Sequence, residues 1–210
     1  MKNTKYFKKY WQTRKMDWSK NFNPNHPHRQ RIIEAISMFR FRSILEVGCG
    51  VGPNLYKIKQ VFSHADVGGL DWNADAIEEA KRKLPRASIL QVGEANDIYI
   101  SDKGSDLLLS DMCYIYLDKK NFRKAIDEAK RVARVGVIFC EFHSANWFKR
   151  LYLKMISGYN AYDYRKELRR VGFNDIKIYK LTDEDWPSNT PRFPRINPQK
   201  VFGSIITARA

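Results

Sequence analysis

The segment Ser43-Ile-Leu-Glu-Val-Gly-Cys-Gly-Val-Gly-Pro53 decides the fold of this 210-residue chain. Its first five residues form an apolar run typical of a buried strand. Pro53 suits the first turn of a helix, where its missing N–H leaves no hydrogen bond unmade. Glycines 48, 50 and 52 lie between these elements, where the chain must turn sharply and bring bare backbone close to a ligand. The segment therefore predicts a strand, a ligand-binding turn and a helix.

Short apolar runs alternate with longer amphipathic runs from residue 43 onward, a pattern typical of repeated strand–helix units. The predicted strands cover residues 43–47, 65–70, 88–92, 106–110, 136–141, 176–179 and 201–208. The predicted helices cover 26–39, 53–62, 73–83, 119–133 and 162–171, and the proline-rich stretch 182–199 is predicted as loop. We expect an α/β fold with a doubly wound, mostly parallel sheet of about seven strands and helices on both faces.

The glycine turn does not match two common nucleotide-binding motifs. A G-x-G-x-x-G dinucleotide fingerprint would need its third glycine at position 53, where this chain has Pro53. A phosphate-binding loop of the Walker type would end in Gly-Lys-Ser/Thr, which does not follow the turn. The turn therefore indicates a different kind of ligand.

Polar side chains follow the next three predicted strands, and they suit an adenosyl group. Asp71 comes 19 residues after Gly52 and can accept hydrogen bonds from both ribose hydroxyls. Glu94 can accept from the adenine amino group, while the backbone N–H of Ala95 donates to the ring. We expect Trp72 to cover the adenine face or to pack in the core. We expect the residues at the end of the fourth strand to line the same cleft; they are Ser110, Asp111 and Met112.

Four stretches resemble, in order, the successive motifs of the class I S-adenosylmethionine-dependent methyltransferases, in particular the methyltransferase type 11-like group. They are Glu46–Gly52, Gly69–Ile77, Gly93–Ala95 and Ser105–Ser110, and the resemblance runs from about residue 28 to 180. It implies a Rossmann-like fold, S-adenosyl-L-methionine as cofactor and methyl transfer as activity. It places Glu46 near the methionine amino group, the glycines beneath the methionine and ribose, Asp71 on the ribose, and Glu94 with Ala95 at the adenine. The family more often has Asp where this chain has Glu94.

The cofactor-binding residues expected from the motifs and the resemblance form one set. They are Glu46, Gly48, Cys49, Gly50, Gly52, Asp71, Trp72, Glu94, Ala95, Ser110, Asp111 and Met112. No metal is expected. Methyl transfer from a sulfonium is an in-line displacement of an activated group, so little side-chain chemistry is obligatory. If the acceptor is a hydroxyl, His143, Asp111 and Tyr114 are candidate bases, although His143 can equally be an ordinary loop histidine.

The formal charge of +15 is concentrated near the N-terminus, where residues 1–42 carry eleven Lys/Arg and two acidic residues. Such a segment can attract nucleic acid, an acidic membrane surface or an anionic substrate, or it can be a solvated face. The stretch 5–22 is rich in aromatic as well as basic residues, and we expect it to form a helical lid over the cofactor. We therefore divide the chain into a basic aromatic N-terminal lid or extension, 1–24, and a single methyltransferase domain, 25–210.

We expect a small-molecule acceptor. An RNA methyltransferase is the first alternative, because basic residues with interleaved aromatics suit phosphate contact and base stacking. Ser110-Asp-Met-Cys-Tyr114 lacks the Asp/Asn-Pro-Pro-Tyr/Phe turn that is common in enzymes acting on exocyclic base amines. A non-catalytic S-adenosylmethionine-binding protein is the second alternative.

Cellular location is expected from the absence of two sequence features. No apolar run approaches the roughly 20 residues that span a bilayer, and the basic N-terminus lacks the apolar stretch of a signal peptide. We therefore expect a cytoplasmic protein. The three cysteines, Cys49, Cys113 and Cys140, are expected to be reduced core residues, since none is closely paired.

Overall fold

A computed structural model describes residues 3–187 and 201–210 of the chain. Its strands are β1 (Ser43–Val47), β2 (Asp66–Asp71), β3 (Ile89–Val92), β4 (Ser105–Asp111), β5 (Ala133–Phe142), β6 (Asn174–Lys180) and β7 (Gly203–Arg209). They form a seven-stranded sheet in the order β3-β2-β1-β4-β5-β7-β6. The first five strands in chain order pair in parallel, and β7 runs antiparallel to both β5 and β6. The predicted mostly parallel sheet of about seven strands is confirmed.

Helices cover both faces of the sheet, which confirms the doubly wound arrangement. They are α1 (Thr4–Thr13), α2 (His28–Ile36), α3 (Pro53–Val61), α4 (Ala74–Lys83), α5 (Lys119–Val132), α6 (Trp147–Ser157) and α7 (Tyr164–Arg170). Buried side chains of α2, α3 and α4 form one core with one face of β1, β4 and β5, and those of α5 and α7 form a second core with the opposite face. Two short 3₁₀ helices, Trp18–Asn21 and Tyr114–Tyr116, complete the described elements.

The helices begin where the sequence supplies capping residues. The side chain of Asn73 accepts a hydrogen bond from the Ala76 N–H at the start of α4, and Asp118 accepts from the Asn121 N–H at the start of α5. The last turn of α4 is basic, which complements the helix dipole. Gly52 takes a left-handed conformation (φ 78°) directly before Pro53, so the turn that opens α3 needs a glycine there.

The structure differs from the sequence predictions mainly after β4. Helix α6 was not predicted, although its large apolar residues lie on one half of the helix. Strand β5 begins at Ala133, the last residue of the predicted helix, and thus before the predicted strand 136–141. The predicted loop 182–199 is irregular over the described residues 182–187, and its remainder lies outside the described residues.

The strand order leaves a cleft beside β1. The chain leaves β1 toward β2 on one side, and β4 later pairs with β1 on the other side. Crossovers that diverge in this way open a crevice at the carboxyl ends of the two strands, where ligands bind in open α/β sheets. In the described part of the chain, no helix combines the length and apolar character needed to cross a bilayer.

Candidate functional site

A cavity of about 290 Å³ lies at the carboxyl ends of β1, β2 and β4. Its volume is at the lower end of the roughly 300–1,000 Å³ usual for small-molecule sites. The residues that form its wall are Trp11, Trp18, Asn21, Val47, Gly48, Gly50, Asp71, Trp72, Gly93, Ala95, Asp111, Met112, Cys113 and Tyr116. Seven of the twelve residues predicted to bind the cofactor are among them.

The glycine turn brings bare backbone to the cavity. Gly48 and Gly50 have left-handed conformations, with φ of 76° and 53°. A Cβ atom on Gly48 would lie 2.5 Å from Cβ of Cys113, so a side chain there would collide with the opposite wall. A Cβ atom on Gly50 would meet no atom within 4 Å. The turn therefore leaves open space beside Gly50 that a bound group can fill, which fits the close approach expected of a ligand-binding turn.

Asp71 connects the glycine turn to the end of β2. Its Oδ2 accepts a hydrogen bond from the Gly50 N–H, and its Oδ1 accepts one from the Asn73 N–H, both at 2.9 Å. Burial raises the pKa of Asp71, and these N–H donors oppose that rise. A carboxylate has about four acceptor positions, so the two oxygens can still accept from ligand hydroxyls.

The two residues predicted at the adenine are placed differently. Ala95 and Trp72 lie on the cavity wall, whereas Glu94 does not, since its carboxylate forms an ion pair with Lys8 of α1. Glu94 and Lys8 are each about one-third exposed (34%), so their attraction is screened by water. The pair joins α1 to the loop after β3 beside the cavity.

Four other predicted binding residues also lie behind the wall. Cys49 is buried, with its Sγ against Gly69, and Gly52 packs close to Leu84. The hydroxyl of Ser110 donates to Glu141 Oε1 at 2.6 Å. Glu46 is 1% exposed and accepts a hydrogen bond from Asn54 Nδ2 at 2.6 Å. These residues support the turn and the strand ends, and their predicted contacts with a cofactor stay predictions.

A buried polar network lies beneath one end of the cavity. Asp111 Oδ2 is 2.9 Å from His28 Nε2 and accepts from Arg29 Nη1 at 3.1 Å and from Asn54 Nδ2 at 3.0 Å. Burial opposes the ionisation of Asp111, but His28 and Arg29 overcome it and hold the pKa of this carboxyl well below its usual range. Two buried oxygens, Glu46 Oε2 and Asp111 Oδ1, have no partner among the described residues. Such oxygens are suited to a cationic ligand group.

The same network contains a possible set of metal ligands. His28, Asp111 and Cys140 offer ligand atoms that all lie within 4.8 Å of one another. The Arg29 guanidinium contacts the same Asp111 oxygen, so a cation there would be placed against a fixed positive charge. The expectation that no metal is used stays a prediction.

The three candidate bases differ in their access to the cavity. Tyr114 is fully buried and burial raises the pKa of its hydroxyl, while His143 accepts a hydrogen bond from the Tyr164 N–H and burial lowers its pKa. Neither residue lines the cavity. Asp111 does line it, but its low pKa makes it a weak base. The assignment of a general base among these three residues stays a prediction.

Sequence reasoning did not assign several wall residues to the site, and most of them come from the N-terminal segment or the 3₁₀ helix after β4. Trp11, Trp18 and Asn21 close one side, and the carbonyl of Trp11 accepts a hydrogen bond from Asn73 Nδ2 at 2.6 Å. Tyr116 closes another side, with its ring 5.6 Å from that of Trp11. The indole N–H groups of Trp11 and Trp18 are buried without a hydrogen-bond partner in the described part of the chain. The aromatic content of 5–22 was the signal for this contact.

Glu46 is expected to make the protein less stable as the pH rises from 6.5 to 8. Burial raises the pKa of Glu46 to about 8, despite the opposing hydrogen bond from Asn54. The folded state therefore holds a proton that the unfolded state, with a pKa of 4.5, has released. This stabilisation is complete below pH 4.5 and is lost through pH 8. Burial also raises the pKa of Glu141 to about 7, which adds to the loss. Burial lowers the pKa of His26 to about 4, so His26 makes the protein more stable as the pH rises, but only below pH 6.5.

The Glu46→Gln variant tests this assignment by urea unfolding at several pH values. The free energy of unfolding of the wild type should fall by roughly 1.5 kcal/mol more than that of the variant between pH 6.5 and 8, since each such group contributes roughly 1.4 kcal/mol per pH unit. Glu78→Gln, on the exposed side of α4, serves as the control and should retain the wild-type pH dependence. Parallel curves for the wild type and Glu46→Gln would contradict the raised pKa.

Comparisons with known proteins found methyltransferases both by sequence and by fold. The sequence model of a family described as "Methyltransferase domain" matches residues 44–136. A fatty-acid O-methyltransferase of Mycolicibacterium smegmatis is 33% identical over 100 residues, which are 47% of this chain and 35% of that protein. A trans-aconitate 2-methyltransferase of Afipia carboxidovorans is 24% identical over 83 residues, which are 40% of this chain and 32% of that protein. The chain thus matches about a third of the length of these curated relatives.

A solved structure shares the fold across nearly the whole chain. The geranyl diphosphate C-methyltransferase of Streptomyces coelicolor, solved with Mg²⁺, geranyl-S-thiolodiphosphate and S-adenosyl-L-homocysteine, superposes with a TM-score of 0.70. The superposition covers 98% of this chain and 97% of that chain at 12% identity. At this identity the likeness establishes the fold alone.

Proposed function

Since the chain belongs to the class I methyltransferases, we propose that it transfers a methyl group from S-adenosyl-L-methionine to a small-molecule acceptor. The observation that carries the proposal is the glycine turn held by Asp71 at the cavity, through the hydrogen bond from the Gly50 N–H. This bond joins the open backbone turn after β1 to a carboxylate at the end of β2, and both line the cavity.

The residues around the cavity fit the parts of this cofactor in order. Asp71 would accept from the ribose hydroxyls, and Trp72 and Ala95 would border the adenine. The unpartnered oxygen of Asp111, on the cavity wall, would face the methionine ammonium group. Glu46 lies behind the wall and shares the Asn54 amide with Asp111, so its carboxyl group would lie near the same ammonium group. The bound cofactor supplies a methyl group that its sulfonium already activates.

The chain's own contribution would be to orient the acceptor and exclude water. Aromatic rings of Trp11, Trp18 and Tyr116 line the side of the cavity formed by the N-terminal segment and the loop after β4. They suit an apolar or flat acceptor, and they shield the methyl group from solvent. The names of the curated relatives, a fatty-acid and a trans-aconitate methyltransferase, support the class of small acceptors. Residues 1–24 would act as the lid of this site.

Radiolabelled methyl transfer into a cell extract tests the proposal. With S-adenosylmethionine labelled on its methyl group, label should appear in small metabolites and resist nuclease and protease treatment. Nuclease-sensitive label would favour an RNA acceptor instead. Cofactor binding measured by calorimetry, with no label transferred, would favour a non-catalytic binding protein.

Removal of residues 1–23 is expected to weaken acceptor or cofactor binding while leaving the sheet folded. The segment supplies Trp11, Trp18 and Asn21 to the wall. Its polar contacts with the domain are few, chiefly Thr4 with Asp118, Lys8 with Glu94, and the Trp11 carbonyl with the Asn73 amide. We expect at least about a tenfold loss of S-adenosylhomocysteine affinity, since two large aromatic contacts disappear. Calorimetry measures the affinity, and circular dichroism checks the fold.

The matched control for this truncation is the full chain with Lys5→Ser and Lys9→Ser. These exposed lysines carry charge without lining the cavity, so the double variant should bind S-adenosylhomocysteine as the wild type does. Wild-type affinity and turnover in the truncated chain would rule out a lid.

A further inference from the structure

Helix α6 presents an exposed apolar surface on its outer side. Six large side chains form this α6 surface: Trp147, Phe148, Leu151, Tyr152, Met155 and Ile156. Met155 is 72% exposed and Phe148 is 64% exposed, values unusual for such large apolar groups on one helix. The rings of Trp147 and Phe148 stack on each other, with their centroids 3.7 Å apart. Side chains of this kind exposed together indicate a surface that something covers.

The arrangement around α6 is that of a helix lying at an interface. At roughly 100° per residue, the α6 surface occupies about half of the helix circumference. Leu153 and Ser157, on the opposite half, are buried and hold the helix to the protein, where Leu153 packs with Ile115 and Phe142. Lys149 and Lys154 fall at the two borders of the apolar half. Apolar residues flanked by lysines on both sides suit a bilayer interface. There the aliphatic part of each lysine side chain lies along apolar surface, and its ammonium group reaches the lipid headgroups.

Charge identifies the kind of surface that α6 fits. Helices α1 and α6 together contain six Lys/Arg and no Asp or Glu. Helix α1 contacts the loop that follows α6, since the Phe7 ring of α1 lies 6.1 Å from the ring of Tyr159, two residues after α6 ends. The whole chain carries a formal charge of +15. Lys8 of this group is paired with Glu94, and the remaining positive charge favours a partner that is negatively charged as well as apolar.

We propose that the α6 surface docks onto an anionic lipid bilayer, with its aromatic and aliphatic side chains inserted among the lipid headgroups. Trp and Tyr side chains favour this region, since their rings are apolar and their N–H or O–H groups stay hydrated. Anionic headgroups attract nearby Lys and Arg side chains. Helix α6 follows the carboxyl end of β5, so docking places the cavity edge of the sheet next to the membrane. The proposal does not depend on the identity of the methyl acceptor.

Sedimentation of the full chain with lipid vesicles tests this docking. The wild type should bind vesicles of phosphatidylcholine mixed with phosphatidylglycerol, and bind vesicles of phosphatidylcholine alone at least about tenfold more weakly. Phe148→Ser with Met155→Ser should lower the affinity for the mixed vesicles at least about tenfold, since two apolar groups are lost from the contact. Lys149→Glu should lower it about tenfold through charge reversal.

Two control variants carry the same chemical changes elsewhere. Tyr99→Ser removes an aromatic side chain that is 92% exposed after β3, and Lys124→Glu reverses an exposed charge on α5. Both should bind mixed vesicles as the wild type does. Equal binding to both vesicle types, or unchanged binding of Phe148→Ser with Met155→Ser, overturns the proposal. The absence of vesicle binding also overturns it. A dimer in light scattering that the same double substitution abolishes would then identify a second copy of the chain as the partner of this surface.

Discussion

Asp71→Asn is expected to weaken the binding of S-adenosylhomocysteine at least about 100-fold. The two Asp71 oxygens each accept a backbone N–H, from Gly50 and from Asn73. An asparagine has only one acceptor oxygen, so its amide N–H would be placed against one of these donors. Hydrogen bonds to a charged group contribute roughly 1.5–3 kcal/mol each, and the proposed ribose contacts depend on the same carboxylate. The substitution would therefore disturb the glycine turn as well as the ligand contacts.

Calorimetry with S-adenosylhomocysteine measures the effect, and Asp75→Asn is the matched control. Asp75 lies four residues later in the exposed first turn of α4 and loses the same charge without touching the cavity. We expect the control to bind within about twofold of the wild type, because a charge at a helix N-terminus contributes only a few tenths of a kcal/mol to 1 kcal/mol. Near wild-type affinity in Asp71→Asn would remove Asp71 from the proposed cofactor site.

Glu141→Ala is expected to lower the free energy of unfolding by about 3–5 kcal/mol, whereas Glu141→Gln should lower it by less than about 1 kcal/mol. Oε1 of the buried Glu141 accepts three hydrogen bonds, from the Ser110 hydroxyl at 2.6 Å, the Cys113 N–H at 2.8 Å and the Tyr114 N–H at 2.9 Å. Alanine leaves these donors buried and unsatisfied, and it leaves a cavity. Glutamine keeps the accepting oxygen and places its amide where Oε2 has no partner among the described residues.

Urea unfolding at pH 6 gives the comparison under the best conditions. Burial raises the pKa of Glu141 to about 7, so at pH 6 the wild-type side chain is mostly neutral and glutamine is a close substitute. Because Glu141 holds the backbone of Cys113 at the cavity wall, Glu141→Ala should also weaken cofactor binding. Equal destabilisation by alanine and glutamine would show that the carboxyl group, and not its accepting oxygen, is what the fold requires.

The part of the site that sequence could predict is local in the chain. Strand ends and the turns that follow them are read from short patterns, and in this way Gly48, Gly50 and Asp71 were placed correctly at one edge of the sheet. Hydrophobic periodicity likewise predicted the strands and the helices that pack on them. Whether these residues bind a cofactor is still to be tested by experiment.

The part that sequence could not predict depends on contacts between distant segments. Lys8 meets Glu94 and Arg29 meets Asp111 across more than 80 residues, and no local pattern indicates either pair. Glu94 is held by Lys8 and does not line the cavity. Arg29 helps to lower the pKa of Asp111, which makes this carboxylate a weak base. Sequence could not show that the apolar side of helix α6 faces outward, since the helical period is the same whether that side meets the core or solvent.

The position of β7 has a consequence for how the protein is made. This strand lies between β5 and β6, although it comes after both of them in the chain. Until it is synthesised, β5 is left with an unpaired edge of apolar residues and β6 has no neighbour in the described sheet. A ribosome-bound chain would therefore present an exposed strand edge until β7 has been made, a state that favours association with other chains. Completion of the sheet waits for the last strand to insert between two that are already present.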